Sequence, residues 1–257
     1  MGSEILARRC GTLNMVFEQK TIKQGRKLID SLRAFERLSP EGRDILAESA
    51  IVQKIRLDQY LWQYGDSSEY FACIASGVIE ISRPTPLGAE NLMGIFGPGD
   101  FIGLSAFLKR TPFPGFSKAI SPDTTVLKFY LRNQTQKSGT KYEEIMTWIR
   151  EMFLLHEQIL RDKIDILTAG SIENRILEFL LHLRRRFGVI EGRVKCTIPI
   201  AISKTQVAKI IDARTETVFR TLAAWKKMNL IDWETQKIIV PNFEFLELHV
   251  HKQLNKK

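Results

Sequence analysis

Residues 202–240 read ISKTQVAKIIDARTETVFRTLAAWKKMNLIDWETQKIIV, and this stretch decides the fold of the C-terminal third of the chain. Ser203 can cap a helix over residues 204–211, because its hydroxyl can accept from a free N–H of the first helical turn. A short turn follows, and a second helix is predicted over residues 214–228. Two short strands are predicted next, at residues 230–233 and 238–240. Helix, tight turn, helix and hairpin is the plan of a winged helix-turn-helix.

The second helix of this motif divides into two faces. Its apolar residues recur at helical spacing and are predicted to be buried: Val218, Leu222, Trp225 and Met228. The residues that then point outward lie near the start of the helix: Thr215, Glu216, Phe219 and Arg220. An arginine can donate two hydrogen bonds to guanine O6 and N7, and a glutamate can accept from cytosine N4. The outward face therefore predicts a surface that reads bases in a DNA major groove.

Basic charge is concentrated in the same part of the chain. The net charge is +9, and residues 171–257 hold 16 Lys and Arg against 9 Asp and Glu, a net charge of +7. The preceding 170 residues hold 22 against 20, a net charge of only +2. Such a concentration is typical of a module that binds a polyanion. A solvated basic surface without a partner is the alternative that charge alone leaves open.

The upstream region, residues 35–131, has a different pattern. Short apolar or β-branched runs alternate with turns that contain glycine and proline, which favours an antiparallel sandwich, barrel or jelly roll. The predicted strands lie at residues 52–57, 70–74, 78–82, 92–96 and 125–131. A helix that starts at Ser39-Pro40-Glu41 precedes them. Residues 1–34 show no clear period and are interpreted as an N-terminal extension.

Residues 141–167 contain neither glycine nor proline and show helical periodicity. Ile145, Met152, Ile159 and Ile166 recur every seven positions. Trp148 and Leu155 form a second series between them, which Asp162 interrupts. A stripe of this length packs against another helix or against a copy of itself, while packing on the β domain is the alternative. The residues predicted to form a dimer interface are Ile145, Trp148, Met152, Leu155, Ile159 and Ile166.

The predicted fold class is therefore α+β, with an N-terminal antiparallel β-roll, a long dimerisation helix and a C-terminal winged helix-turn-helix. Residues 132–170 are assigned to the dimerisation helix and a hinge, and a further helix is predicted at residues 173–186, ended by Gly188. Another strand is predicted at residues 193–200. The DNA-binding domain is predicted to span residues 171–247, followed by a C-terminal tail at residues 248–257.

Several segments resemble the Crp/Fnr family of bacterial transcription regulators, relatives of the cyclic-AMP receptor protein. Residues 215–220, TETVFR, resemble that family's recognition helix, and residues 203–208, SKTQVA, resemble the first helix of its motif. Residues 171–176, SIENRI, are similar to its hinge and the helix that follows. Gly65, Ser76-Gly77 and the run Gly99-Asp100-Phe101-Ile102-Gly103 resemble turns of its sensor domain. The resemblance implies a homodimer with a sensor β-roll, a DNA-binding domain and RNA polymerase as a further partner.

The outward face of the second helix and the family resemblance together predict the contacts with DNA. Glu216 and Arg220 are predicted to read bases, with Thr215 and Phe219 facing the same edges. Phosphate contacts, which position a protein without specifying sequence, are predicted for Ser203, Lys204, Arg214 and Thr217. A dimer should read a palindrome whose half-sites lie about one helical turn apart. The resemblance implies a TGA-like half-site with Arg220 on its guanine.

The sensor region departs from the family members that bind cyclic nucleotides. In those members Glu follows the glycine that matches Gly103, and an Arg-Ser pair lies about ten residues on. This chain has Leu104 and then Phe113-Pro114 in those places, which removes the cation that would neutralise a cyclic phosphate. The candidate effector pocket comprises Gly103, Leu104, Ser105 and Phe113. We therefore expect neither cyclic AMP nor any other cofactor, with haem held by His156 or Cys73 as the alternative signal.

Other classes of protein are disfavoured by what the sequence lacks. The four histidines stand in no HExxH context, and neither a GxSxG nor a P-loop motif occurs, so no enzyme and no metal site is predicted. An RNA-binding module would need an aromatic stacking stretch, which is missing. No run of apolar residues is long enough to span a bilayer. Three scattered cysteines without a CxxC pair favour the reducing cytoplasm.

Overall fold

A computed structural model of the chain describes residues 22–86, 88, 90–131 and 140–254. Residues 1–21 of the predicted N-terminal extension lie outside the described residues. The rest of that extension is folded, because residues 22–31 form helix α1 and Arg33–Phe35 form a 3-10 turn. Ile29 and Phe35 are fully buried against the sensor domain. The prediction of an extension is therefore wrong for residues 22–34.

Helix α2 spans Pro40–Ser49, and its predicted start is confirmed. The Ser39 hydroxyl accepts from the Gly42 amide at 3.0 Å, and proline occupies the first helical position. The carboxylate of Glu144, far along the chain, also accepts from the Ser39 amide at 2.6 Å. The capped end of α2 is thereby fixed to the long helix that follows the sensor domain.

The sensor domain consists of two four-stranded antiparallel sheets. Its elements are β1 (Ala50–Ile55), β2 (Tyr60–Trp62), β3 (Phe71–Ser76), β4 (Ile79–Pro84), β5 (Glu90–Phe96), β6 (Phe101–Ile102), helix α3 (Leu104–Lys109), β7 (Phe116–Ala119) and β8 (Thr124–Phe129). The strand orders are β1-β8-β3-β6 and β2-β7-β4-β5. Sequence patterns missed β2, β6 and β7, which have only two to four residues and therefore show no alternation.

Strand β3 is buried on both of its faces. Phe71 and Cys73 point into a core shared with α2 and the long helix, whereas Ala72 and Ile74 point into the space between the two sheets. This double burial explains its apolar sequence FACI.

Helix α4 spans Thr140–Thr168 and runs along the sensor domain. Ile145, Trp148 and Met152 are buried in the core around Phe35, where Trp148 stacks on the Phe35 ring at 5.2 Å between centroids. The Trp148 indole also donates to the carbonyl of Ala34 at 2.9 Å.

This arrangement corrects the predicted dimer interface. Ile145, Trp148 and Met152 face the chain's own core, and Ile166 lies in the core of the C-terminal domain. Ile159 packs beside the sheets of the sensor domain, and Leu155 alone is largely exposed. The assignment is therefore wrong for Ile145, Trp148, Met152 and Ile166, which pack inside the chain's own cores, and it stays a prediction for Leu155 and Ile159.

The C-terminal domain is a helical unit closed by a small sheet. Its elements are α5 (Ile172–Phe187), β9 (Val189–Glu191), β10 (Lys195–Ile198), α6 (Lys204–Ile210), α7 (Thr215–Lys227), β11 (Asp232–Trp233), β12 (Ile238–Val240) and α8 (Phe243–Leu254). The sheet has the order β11-β12-β10-β9. The strand predicted at residues 193–200 is shorter, because residues 192–194 form the turn after β9. The predicted domain boundary at residue 247 falls inside α8, whose Val250 is buried.

Candidate nucleic-acid interface and sensor pocket

Helices α6 and α7 are set by local signals in the sequence. Ser203 and Gln206 form a capping box: the Ser203 hydroxyl accepts from the Gln206 amide at 3.2 Å, and the Ser203 amide donates to Gln206 Oε1 at 2.8 Å. Between the helices, Asp212 adopts a left-handed conformation with φ of 50°, and the Ala213 amide donates to the Ala208 carbonyl at 2.9 Å. Helix α7 then starts with Arg214 at its N-cap position.

The two faces of α7 are separated as the sequence predicts. Val218, Leu222 and Trp225 are buried in the domain core as predicted. The prediction is wrong for Met228, which is exposed because the helix ends at Lys227. The four residues predicted to read bases are all exposed on the opposite side: Thr215, Glu216, Phe219 and Arg220. A cation, an anion and an aromatic ring thus share one solvent-facing surface at the first two turns of the helix.

The residues predicted to contact phosphates have mixed surroundings. Arg214 is exposed, whereas Thr217 is half-buried. The Ser203 hydroxyl is engaged in the capping box. The Lys204 ammonium lies 5.4 Å from the centroid of the Phe219 ring. This contact joins the first helix of the motif to the exposed face of Thr215, Glu216, Phe219 and Arg220, called the reading face below.

The wing is formed by β11 and β12. Its turn is closed by the Glu234 amide, which donates to the Lys237 carbonyl at 2.9 Å. The indole of Trp233 donates to the Ile202 carbonyl at 2.9 Å, and this bond fixes the wing to the start of α6. Strand β9 at the other edge of the sheet was missed by the sequence patterns.

The motif also contacts the sensor domain and α4. Lys163 on α4 donates to the Ile210 carbonyl at the end of α6, where cations are favoured by the helix dipole. Burial lowers the pKa of Lys163 to about 8, although Asp212 acts in the opposite direction. Gln206 donates to Glu80 on β4 at 3.4 Å. The position of α6 is therefore defined by side chains from outside its own domain.

The predicted effector pocket is filled by side chains of the protein itself. Phe113 is buried and stacks on Trp62, with 4.1 Å between ring centroids and 10° between ring planes. Tyr70 packs edge-on against the same Phe113 ring at 5.6 Å. Leu104 is buried in the neighbouring core, and Ser105 is half-buried. Sequence patterns did not point to Trp62 and Tyr70, since these residues lie on segments far from the glycine turn.

Lys118 on β7, a basic residue of the same domain, is already paired. Its ammonium lies 3.1 Å from Glu80 and 3.5 Å from Asp58. These carboxylates raise the pKa of Lys118 even though burial acts to lower it. Lys109 and Arg110, two further basic residues of the domain, are exposed at the end of α3.

Of the two alternative haem ligands, only Cys73 has a described side chain. Cys73 is fully buried in the apolar core, and burial raises the pKa of its thiol well above the usual range. The side chain of His156 lies outside the described residues. Among the described residues, no cluster of His, Cys, Asp and Glu side chains could hold a metal ion. None of the described helices is both long enough and apolar enough to cross a bilayer.

Comparisons with known proteins agree with this arrangement. Residues 174–248 match the Crp-like helix-turn-helix domain, and residues 52–133 match the cyclic nucleotide-binding domain. The chain belongs to the Crp/Fnr family of transcription regulators. The α+β fold and the resemblance in the sequence are thereby confirmed. The curated relatives of this Crp/Fnr protein are regulators of transcription and not enzymes.

Two relatives and two solved structures illustrate the similarity. The CRP-like cAMP-activated global transcriptional regulator of Mycobacterium tuberculosis is 27% identical over 193 residues, 71% of this chain and 80% of that protein. The anaerobic regulatory protein of Bacillus subtilis is 25% identical over 217 residues, 83% of this chain and 89% of that protein. FixK2 from Bradyrhizobium japonicum has a TM-score of 0.65 at 19% identity and covers 77% of this chain and 96% of its own. A CRP-family regulator from Thermus thermophilus has a TM-score of 0.62 at 16% identity and the same coverages. At these identities, the solved structures show the fold.

Proposed function

We propose that this Crp/Fnr regulator acts as a homodimer that reads a palindromic DNA site through α7, and that cyclic nucleotides are not its signal. The observation that carries the proposal is the exposed face of Thr215, Glu216, Phe219 and Arg220, opposite the buried face of α7. RNA polymerase as a partner and a cytoplasmic location are expected from the family and belong to the same proposal.

The chemistry of the exposed face suits a major groove. Arg220 can donate two parallel hydrogen bonds to a guanine, and Glu216 can accept from a cytosine N4 on the facing strand. Phe219 can contact a thymine methyl group. Because Lys204 lies over the Phe219 ring, its positive charge reaches the rim of the same surface, where it supports contact with the phosphate backbone.

The outer face of α4 supports the proposal of a homodimer. Apolar residues recur along this face at spacings of seven and four: Met146, Phe153, Leu160 and Ile164, of which Met146 and Phe153 are half-buried at the border of the core around Phe35. Leu160 and Ile164 are exposed. Met146, Phe153 and Leu160 each lie one position after a residue of the stripe assigned from the sequence, so the outer face is a neighbouring face of the same helix. A second copy of α4 packed on it would remove these apolar side chains from water.

We expect Arg220→Ala to weaken binding to the preferred site by about 1–3 kcal/mol and to relax the preference at one guanine, because a bidentate contact supplies discrimination of that size. Arg214→Ala is the matched control, since it removes the same charge from the N-cap position of α7. It should weaken all sequences alike, as a phosphate contact does. The measurement compares dissociation constants on a duplex selected by the wild-type protein and on a scrambled duplex. If Arg220→Ala weakened both duplexes equally, the groove assignment would be wrong.

We expect cyclic AMP and cyclic GMP to show no saturable binding in the micromolar range. The pocket space is taken by the stacked Phe113 and Trp62 rings, and Lys118 is paired with Glu80, so a cyclic phosphate would have to displace buried rings and compete with a carboxylate for this cation. Isothermal calorimetry with each nucleotide provides the measurement. A dissociation constant in the micromolar range or below, for either nucleotide, would contradict this part of the proposal.

A further inference from the structure

Four polar side chains form a continuous series of hydrogen bonds across the boundary between the sensor domain, α4 and α5. His182 on α5 places Nδ1 2.6 Å from Asp162 Oδ2 on α4. Arg186, one turn further along α5, places Nη1 2.8 Å from His182 Nε2 and donates to the Ile95 carbonyl at 3.0 Å. Its Nη2 atom donates to Asp100, in the turn between β5 and β6. The series therefore joins three separate elements.

The contacts require His182 to be neutral. Arginine can only donate, so His182 Nε2 accepts from Arg186, and the ring proton on Nδ1 is donated to Asp162. Burial, together with the charge of Arg186, lowers the pKa of His182 to about 4, although Asp162 opposes this effect. The side chains of His182 and Asp162 are only 7% and 9% exposed. Buried groups of this kind are tolerated only when each finds its partner, so the series is a built contact.

The sensor end of the series is equally well defined. The Asp100 carboxylate also accepts from the Gly97 amide at 2.7 Å, which holds the turn closed. Gly97 lies directly against Phe187, because a Cβ atom on Gly97 would come within 2.8 Å of the Phe187 ring. The Arg186 guanidinium lies 4.6 Å from the centroid of the same ring. The β5–β6 turn and the end of α5 therefore fit against each other without space for a side chain at Gly97.

Arg186 lies near the end of α5, far from the segment that joins this helix to α4. Helices α4 and α5 are joined by a short segment in which Gly170 has a φ of 86°, a conformation that favours glycine. At 1.5 Å per residue, Arg186 lies roughly 20 Å from the start of α5. A rotation at the Gly170 hinge would therefore separate Arg186 from Asp100 long before it disturbed the start of the helix.

We propose that Asp162, His182, Arg186 and Asp100 act as an interdomain latch, in which Arg186 is the positioning residue that fixes the recognition helix relative to its protomer. The inference rests on the proposed function, because a fixed orientation matters most when two protomers read paired half-sites. In the latched arrangement Glu216 and Arg220 are exposed, so the latch presents the reading face to DNA. A released domain must be ordered when it binds, and it accepts a wider range of half-site spacings.

The first test of the latch needs no DNA. Arg186→Gln is compared with Arg185→Gln, which removes the same charge from the preceding residue. The Arg185 side chain is exposed and contacts Asp162 at 3.4 Å, whereas Arg186 is the residue that reaches Asp100 in the β5–β6 turn. We expect hydrogen exchange of the amides at residues 95–100 and 168–171 to become faster in Arg186→Gln and to stay unchanged in Arg185→Gln. Equal exchange rates in the two variants would overturn the latch.

The second test uses palindromes selected by the wild-type protein, with the distance between half-sites changed by one or two base pairs. Arg186→Gln should lose about tenfold in affinity at the preferred spacing and less at the others, so that the dependence on spacing becomes flatter. Its affinity for a single half-site should equal that of Arg185→Gln. Asp100→Asn, which keeps an acceptor for the Gly97 amide, should reproduce the flattening.

The outcomes separate the latch from the function on which it rests. An unchanged spacing profile in both Arg186→Gln and Asp100→Asn would overturn the latch even if the palindrome is bound as proposed. A wild-type protein without any spacing preference would overturn the paired reading of half-sites, and the exchange experiment would still decide whether the latch exists.

Discussion

Replacing Phe113 by alanine is expected to lower the free energy of unfolding of the sensor domain by about 3–5 kcal/mol. The ring is fully buried, stacks on Trp62 and meets Tyr70 edge-on, so the variant loses both the buried apolar surface and two aromatic contacts. The loss should appear as a lower midpoint in urea unfolding followed by tryptophan fluorescence, since Trp62 is the direct neighbour of the cavity.

Phe245→Ala is the matched control for this experiment. It makes the same chemical change at a ring on α8 that is 65% exposed, so we expect a change within about 0.5 kcal/mol. If Phe113→Ala were as stable as Phe245→Ala, Phe113 would not fill the space between the sheets. The argument against a cyclic nucleotide in that space would then fail as well.

Ile164→Glu is expected to convert the proposed dimer into monomers at micromolar concentration. In a symmetric pair of α4 helices the new carboxylate would be buried opposite an apolar face or its own copy, at a cost of several kcal/mol. Leu155→Glu is the control, because the two side chains have nearly the same exposure, 60% for Ile164 and 63% for Leu155, and lie on different faces of α4. Sedimentation velocity measures the mass of each variant.

Comparing Ile164→Glu with Leu155→Glu shows which of two faces of α4 forms the dimer interface. The stripe assigned from the sequence contains Leu155, whereas the outer face contains Ile164. Dissociation by Leu155→Glu alone would favour the sequence assignment, and a monomeric wild-type protein would contradict the dimer altogether. Met152→Glu is not a suitable probe, because Met152 is buried in the chain's own core and the charge would unfold the domain.

The order of the domains and the helix-turn-helix could be predicted because their signals are local. The Ser203–Gln206 capping box, the period of Val218, Leu222 and Trp225, and the wing all lie within forty consecutive residues. The phase of α4 could not be predicted in the same way. A long helix that packs on its own domain and on a second copy carries two apolar stripes, and periodicity alone does not say which stripe faces which neighbour.

The missed elements have physical reasons as well. Polar and apolar residues alternate from Glu247 to His251 in α8, a pattern typical of a strand, but Asn242 accepts from the Glu244 amide at 2.9 Å and starts a helix. The latch depends on residues from three distant segments. Asp162 stood out in the sequence only as an interruption of an apolar series, because its partners Arg185 and His182 lie beyond the hinge.

Strands β3 and β9 differ in how readily they can separate from their sheets. Strand β3 has neighbours on both edges and apolar cores on both faces, so its backbone amides can meet solvent only when the whole sensor domain unfolds. Strand β9 is an edge strand whose three residues, including Val189 and Ile190, are exposed. Detaching β9 from its sheet should therefore cost little free energy. Between these two strands, a protease added to the native protein should therefore cut near β9 well before it cuts within β3.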